Sequence, residues 1–309
     1  MYDSIIIGGG PAGLAAAVYM ARQKLKFILL TGDVGGKTLW SADVENYLGF
    51  HLLDGSSLVK KFQEHLADYK QDFELHESEL VINIKNCGKK DCAYIVQTEK
   101  SEYQTRTILI ATGEKNRVLN IPGEKELFGH GVTYCAACDA PLYVGKNVHV
   151  IGGGNSAMDA ALLLEKYAAH ITIVSINSEL TGDAVMKKRI MTSSKMTIQL
   201  QTKTTRCIGT THIEQIGLQK SDGVEMLELT QGVFIEIGLE PITDFIDIIA
   251  KDKWGQIIID KRNATSLQGI WAAGDVTDIT EKQISVAVGE GSKAGLEIIQ
   301  YLQRTEFSE

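Results

Sequence analysis

Cys135 and Cys138 are the residues best placed to do chemistry, in the run Gly131-Val-Thr-Tyr-Cys-Ala-Ala-Cys-Asp-Ala-Pro141. A Cys-x-x-Cys pair can close a disulfide over a short turn, and either thiol becomes an attacking thiolate when its surroundings lower its pKa. Asp139 follows at once, and a carboxylate beside thiols can give or take the proton that thiolate chemistry requires. Its plainer role is to cap the following turn. A pair of this spacing also occurs in metal sites. Zinc wants four ligands, and Cys87, Cys92 and Cys207 offer neither a second close pair nor a His at ligand spacing. No metal is expected, and the pair reads as a two-electron relay.

The relay lies between two glycine-rich fingerprints. The first follows the apolar strand Ser4-Ile-Ile-Ile7 and reads Gly8-Gly-Gly10-Pro11-Ala12-Gly13, ahead of an alanine-rich helical stretch from Leu14 to Arg22 and a strand at Lys26-Phe-Ile-Leu-Leu30. In such a turn Gly8 makes the bend, Gly10 lets backbone approach a pyrophosphate, and Gly13 allows close packing, while the helix N-terminus faces the phosphates. The second repeats the grammar: strand Asn147 to Ile151, turn Gly152-Gly-Gly154-Asn155-Ser156-Ala157, helix Met158 to Lys166, strand His170 to Val174. Two nucleotide folds imply two nucleotides, a held flavin and a transient nicotinamide, because a flavin needs a hydride source and the disulfide needs the flavin between them. A second fold that has kept its shape and binds nothing is the alternative.

Further motifs complete a pattern: Gly35-Gly36, Val44-Glu-Asn46-Tyr47, Ala111-Thr112-Gly113, Ile237-Gly-Leu-Glu-Pro241, Ala273-Gly274-Asp275, and Lys282-Gln283 before Gly289-Glu-Gly291. With the fingerprints and the cysteines, these resemble the low-molecular-weight thioredoxin reductase family along the whole chain, and closely the reductase part of the alkyl hydroperoxide reductase flavoprotein subunit. The resemblance implies an FAD-dependent disulfide reductase whose flavin is held by Gly8, Gly10, Pro11, Ala12, Gly13, Gly36, Asn46, Ala111, Thr112, Gly113, Gly274, Asp275, Gln283 and Ile284. It implies that Asp275 bonds the ribityl and phosphate region, although a turn carboxylate after the apolar run Ile270 to Ala273 is the bland reading. Gln283 and Ile284 would lie near the isoalloxazine ring, Cys138 would contact the flavin, and Cys135 would attack the disulfide of a thioredoxin-like or glutaredoxin-like protein. A homodimer is implied as well. Ala140 departs from the family's usual glycine.

The expected fold class is α/β, with two Rossmann-like nucleotide-binding domains of three layers, the second inserted into the first. At 309 residues the chain is too long for one compact core. By resemblance the FAD domain spans 1–116 and 243–309, and the nicotinamide and disulfide domain spans 117–242. Rotation about the connections at 114–117 and 241–244 would let each site reach the flavin in turn.

The donor is less legible. Nicotinamide choice rests on the end of the second strand, where an acidic group grips a ribose diol and arginines grip a 2′-phosphate. That place reads Val174-Ser175-Ile176-Asn177. The arginine run of NADPH-linked family members is missing at 175–177 and at Thr181, and the acidic residue of the NADH-linked relative is missing at Ser175. Ser175 and Asn177 could bond a diol only as neutral groups, so with Gly152, Gly154, Asn155, Ser156 and Ala157 they form a nicotinamide site for which NADH is admissible and NADPH disfavoured. A donor other than a nicotinamide, such as ferredoxin, and a non-catalytic flavin redox sensor are the other readings.

The rest of the chain sets bounds. The net charge of -8 argues against nucleic acid or an anionic membrane surface as partner. Met1 leads almost directly into the first strand, with no apolar run of membrane length, so a cytoplasmic protein is expected. Lys187-Lys-Arg189 reads as the solvated face of a helix that could guide an acidic partner. Cys87 and Cys92 bracket a hairpin turn at Gly88 to Asp91 and read as bystander thiols, although such a turn could bring them face to face. His149, in an apolar strand, and His212, in a strand region, read as structural.

Overall fold

The computed structural model describes residues 1–41, 44, 46–89 and 92–306. It forms two compact units, one made of 1–115 with 240–309, the other of 116–239.

The first unit starts with β1 (Tyr2–Gly9), α1 (Pro11–Arg22) and β2 (Phe27–Val34), followed by α2 (Gly55–Ala67), β3 (Glu74–Glu77), β4 (Val81–Lys89), β5 (Cys92–Thr98), β6 (Glu102–Ile110) and the short β7 (Glu114–Asn116). The fully buried run Ile5 to Ile7 is what a parallel strand covered on both faces requires. α1 begins three residues before the expected Leu14, because Gly10 is its extended N-cap and Pro11 takes the first helical position, where its missing N–H costs nothing. The last fingerprint residues therefore belong to the helix's first turn. α2 is capped by Asp54, whose carboxylate accepts from the Ser57 N–H at 2.9 Å.

The second unit contains β8 (Val132–Thr133), α3 (Ala136–Asp139), β9 (Asn147–Ile151), α4 (Asn155–Leu164), β10 (His170–Val174), α5 (Ala184–Thr192), β11 (Met196–Gln199), β12 (Thr202–Gly209), β13 (Ile213–Lys220), β14 (Glu225–Leu229) and β15 (Gly232–Ile235). Its sheet has the order β11-β10-β9-β15-β8 with every pairing parallel, and β12, β13 and β14 form a separate antiparallel sheet. α4 starts at Asn155 on the extended Gly154, again ahead of the expected helix, and ends at Leu164. Lys187 to Arg189 lie on α5. His212 is not in a strand: it lies in the turn between β12 and β13, since Gly209 and the polar run Thr210-Thr-His212 favour reversal over pairing.

After β16 (Leu239–Pro241), which pairs with β7, the chain completes the first unit with β17 (Ile270–Ala272) and α6 (Ile284–Glu306). The first sheet runs β3-β2-β1-β6-β5-β4, with β17 parallel to the end of β6. The pairings β3–β2, β2–β1, β1–β6 and β6–β17 are parallel, while β5 and β4 are antiparallel additions beyond β6. α6 packs on α1 through small residues: a Cβ on Gly291 would collide with the Ala12 backbone, and one on Gly295 would lie 3.2 Å from the Ala16 Cα.

Candidate functional site

In the first unit the C-terminal ends of β1, β2 and β6 open onto a cavity of about 450 Å³. Parallel sheets of this kind place ligands at that edge. The fingerprint builds its floor. Gly8, at φ +112, lies directly against the Ala111 carbonyl, so the Ala111-Thr112-Gly113 segment rests on it. At Gly10 the direction of a Cβ is open, with no atom within 4 Å, which is the gap a pyrophosphate needs to reach backbone. Gly36 closes in from the next loop, where a Cβ would lie 3.3 Å from the Gly10 Cα.

Of the residues expected to hold a flavin, Gly8, Gly10, Pro11, Ala12, Gly36, Ala111, Thr112, Gly113, Gly274, Asp275, Gln283 and Ile284 line this cavity. Gly13 and Asn46 do not. Gly13 supports the turn from behind, against the Gly8 carbonyl. Asn46 donates its side-chain amide to the Gln283 Oε1 at 2.9 Å, so it orients a lining residue.

Sequence reasoning missed a charged group within the lining. Lys37 Nζ sits 2.9 Å from Asp275 Oδ2 and 3.2 Å from Glu114 Oε2. Lys282 Nζ donates to the Asp275 and Thr277 carbonyls at 2.8 and 2.5 Å, and burial pushes its pKa down while Glu114 and Asp275 oppose that shift. Asp33 was missed as well. It lies at the C-terminal end of β2, one residue before Val34, in the place where a Rossmann unit carries the carboxylate that accepts from a ribose, and here its Oδ1 accepts from the Gly36 N–H at 2.9 Å. An acidic residue at the end of the second strand was a signal available in the sequence.

The second unit carries the relay. Cys135 and Cys138 are joined as a disulfide, with Cα atoms 5.4 Å apart. Cys135 is the extended N-cap of α3, and its Sγ accepts from the Cys138 N–H at 3.2 Å. The Cys135 N–H in turn donates to Thr133 Oγ1 at 3.1 Å. Cys138 is exposed, while Cys135 and Asp139 are half-buried. Tyr134 is fixed through its hydroxyl to Glu124 Oε1 at 2.7 Å, and Glu124 also accepts from the Leu119 and Ile121 N–H groups, which anchors the chain entering the cysteines. Glu236 was not anticipated. It follows β15 beside α3, and burial pushes its carboxyl up to about 7, opposed by the Ala136 N–H and helped by the charge of Asp159.

The second fingerprint is intact in shape. Gly152, at φ +143, abuts the Glu236 carbonyl and the Ala157 methyl, and a Cβ on Gly154, at the start of α4, would meet Thr181 Oγ1 at 4.0 Å, ordinary contact that leaves the backbone approachable. Asn155 Oδ1 accepts from the Asp183 N–H at 2.8 Å, and the Thr181 N–H donates to the Gly153 carbonyl at 2.7 Å, so the 181–183 loop is laced to the turn. Ser175 is buried beneath the turn, 2.5 Å from where a Gly153 Cβ would stand, and its Oγ accepts from the Asn177 N–H at 3.2 Å. Ser156 is exposed in the first turn of α4.

Among the described residues no three His, Cys, Asp or Glu side chains are grouped as a metal site, and no helix is long and apolar enough to cross a membrane.

The sequence pattern of the pyridine nucleotide-disulphide oxidoreductases matches residues 2–291. The chain belongs to that family. Among relatives of this oxidoreductase, one component of the alkyl hydroperoxide reductase of Staphylococcus aureus is 37% identical over 306 residues, covering 98% of this chain and 59% of that protein. The NADH dehydrogenase of Bacillus subtilis is 34% identical over 308 residues, with the same coverage of 98% and 59%. The chain thus spans less than two thirds of the length of these two relatives. The thioredoxin reductase of Lactococcus lactis superposes with a TM-score of 0.84 at 33% identity, covering 98% of this chain and 100% of the other. An oxidoreductase of this family uses FAD and a pyridine nucleotide, and the open backbone at Gly10 and the uncrowded backbone at Gly154 fit a pyrophosphate at each turn.

Proposed function

We propose that this chain is an FAD-dependent disulfide reductase that prefers NADH to NADPH and reduces the disulfide of a thioredoxin-like or glutaredoxin-like protein. The observation that carries the reading is the Cys135–Cys138 disulfide at the start of α3, with Cys138 exposed, in a chain that also holds two glycine-built nucleotide cradles. FAD, when bound in the first cavity, supplies two-electron chemistry between a hydride donor and a disulfide.

The chain's own residues do the rest. The glycine turn and Asp33 bind the dinucleotide's phosphates and ribose, and Asp275, held by Lys37, orients its polar arm. Once the relay is reduced, the Cys138 N–H beside Cys135 Sγ favours the thiolate at that sulfur. Cys135 attacks the partner's disulfide, and Cys138 then attacks the mixed disulfide, restoring the Cys135–Cys138 bond and releasing the partner as a dithiol. Asp139 is the nearest carboxyl in sequence to move the proton, and Glu236, which accepts from the Ala136 N–H at the start of α3, is a second.

The donor preference rests on charge. From Ser175 to Thr181 the one charged residue is Glu179, which is exposed; it repels a 2′-phosphate, and no guanidinium stands there to hold one. The name of the Bacillus subtilis relative, NADH dehydrogenase, points the same way. The missing arginines also favour a second reading, a donor that is not a nicotinamide. Anaerobic bleaching of the bound flavin with NADH, NADPH and reduced ferredoxin separates them: NADH should bleach at lower concentration than NADPH. Bleaching by ferredoxin alone selects the second reading, and NADPH acting at micromolar concentration where NADH does not would refute the preference.

A further inference from the structure

A second cysteine pair lies in the first unit, and it is bonded. Sequence reading treats Cys87 and Cys92 as bystanders, but the structure joins them as a disulfide with Cα atoms 5.7 Å apart. The reason is a bulge. Between the pairs Asn86↔Tyr94 and Lys89↔Cys92 the β4–β5 register shifts, and Gly88 adopts φ +69, which swings Cys87 toward its partner strand. Residues 90 and 91, within the expected turn, lie outside the described residues.

Three features set this bond apart from a structural staple. It closes a loop with a sequence separation of only five residues inside a hairpin already held by the β4–β5 ladder, where a cross-link constrains the unfolded chain least. It lies at the edge of the sheet, since among the described residues β4 has β5 as its neighbour and no strand beyond it. Its two cysteines are unequally exposed, with Cys92 buried and Cys87 half-buried between the exposed Asn86 and Gly88. It is also far from the flavin cradle. Val81, at the other end of β4, lines the cavity, and six residues of strand at roughly 3.3 Å each put the pair about 20 Å farther along.

We propose that Cys87 and Cys92 form a second, reversible disulfide, a modification site reduced by a protein dithiol of the thioredoxin class and not by the flavin. Its partner class rests on the function proposed above. The partner's thiolate attacks Cys87 Sγ, the Cys87–Cys92 bond breaks, and Cys92 leaves as a thiolate that takes up a proton. The partner's second thiol then loses its proton and attacks its own sulfur in the mixed disulfide, releasing Cys87 as a thiol. Two electrons and two protons pass to the pair, and the partner becomes a disulfide. The hairpin thereby reports the redox state of the pool that the relay feeds.

The test follows the two bonds separately, by differential alkylation and mass spectrometry of the flavin-loaded protein. Cys87–Cys92 should be closed in the isolated protein and stay closed when the bound flavin is photoreduced without any partner. In a Cys135→Ser/Cys138→Ser variant, which has no relay, added chemically reduced thioredoxin should open it, with loss of the cross-linked peptide. A Cys87→Ser variant should show no such peptide under any condition. Free thiols at 87 and 92 in the isolated protein, opening by the photoreduced flavin alone, or a bond that stays closed to reduced thioredoxin would each overturn the proposal. Failure of the relay reading shows elsewhere, as a Cys135–Cys138 bond that photoreduced flavin leaves closed.

Discussion

Gly13 packs directly against Gly8: a methyl group on Gly13 would overlap the Gly8 carbonyl oxygen, whereas one on Gly10, three residues earlier, would meet nothing within 4 Å. The two glycines of one fingerprint therefore have different jobs, one in packing α1 against β1 and one in leaving space for a ligand. Gly13→Ala should destabilise the protein by about 1–3 kcal/mol, because the added methyl overpacks against backbone that cannot move aside. Gly10→Val should leave apoprotein stability within about 0.5 kcal/mol, since Gly10 is at φ -75 and ψ -179, a conformation any residue adopts. It should nevertheless sharply lower the flavin retained on purification. Urea melts of the apoproteins and flavin content after reconstitution check both, and a Gly10→Val protein that retains its full flavin would refute the cradle.

That difference also shows what was legible in the sequence. Strand, glycine turn and helix follow one another locally, so Ser4 to Arg22 and Asn147 to Leu164 could be read from spacing and hydrophobic pattern, with errors at the element ends: the helix starts, where Gly10 and Gly154 act as caps, the end of α4, which stops short of Lys166, and the longer β1. The disulfide chemistry was legible for the same reason: two cysteines at i and i+3 share one turn. Lys37 bridging Glu114 and Asp275 was not legible, because its partners are 77 and 238 residues away and only the tertiary fold brings them together. Glu236 escaped notice because nothing in Glu-Ile-Gly reveals that the carboxyl will be buried beside α3. The Cys87–Cys92 bond depended on a bulge that periodicity does not encode.

Cys207, the one free cysteine among the described residues, should stand apart on alkylation. Cys207 is buried on β12, against the Pro122–Glu124 turn, and burial, aided by the charge of Glu124, pushes its thiol up to about 12. At pH 8 it should resist iodoacetamide in the folded protein and react only after unfolding. Mass spectrometry under native and denaturing conditions checks this, and rapid native labelling at Cys207 would contradict the burial.

Replacing either relay cysteine should abolish reduction of a protein disulfide while leaving flavin content intact, because the flavin cradle lies wholly in the first unit's residues. The two variants should differ in trapping. Cys138→Ser leaves Cys135 with no resolving thiol, so it should accumulate a mixed disulfide with thioredoxin, visible as a band lost on reduction. Turnover comparable to the unmodified enzyme in either variant would refute the relay.

Glu236 predicts a pH dependence of stability. Its carboxyl is raised from 4.5 in the unfolded reference to about 7 in the fold, so the native state binds the proton more tightly. Stability from this group is therefore full below pH 4.5 and declines as pH rises toward 7, above which the folded protein carries a disfavoured charge. Glu236→Gln should stabilise by about 1–2 kcal/mol at pH 8, after discounting for partial solvent screening, and give no gain at pH 4.5. Thermal melts of both proteins across this range measure it. An equal effect at both pH values would mean that packing, not ionisation, is responsible.

The neutral rim after β10 should be convertible. Ile176 is 73% exposed, and Asn177 is exposed beside it, so arginines at both positions can extend into solvent without disturbing the buried Ser175 beneath the Gly153 turn. A guanidinium fork on a 2′-phosphate makes charge-assisted hydrogen bonds of about 1.5–3 kcal/mol, so Ile176→Arg/Asn177→Arg should lower the NADPH concentration needed for half-bleaching by on the order of tenfold or more. NADH should change little, because a ribose diol gains no comparable partner. Raising the salt concentration should shrink the NADPH gain, since the new contacts are solvent-exposed. If the double variant improves NADH and NADPH equally, the arginines act on the shared pyrophosphate, and the 2′-position is not read at this strand end.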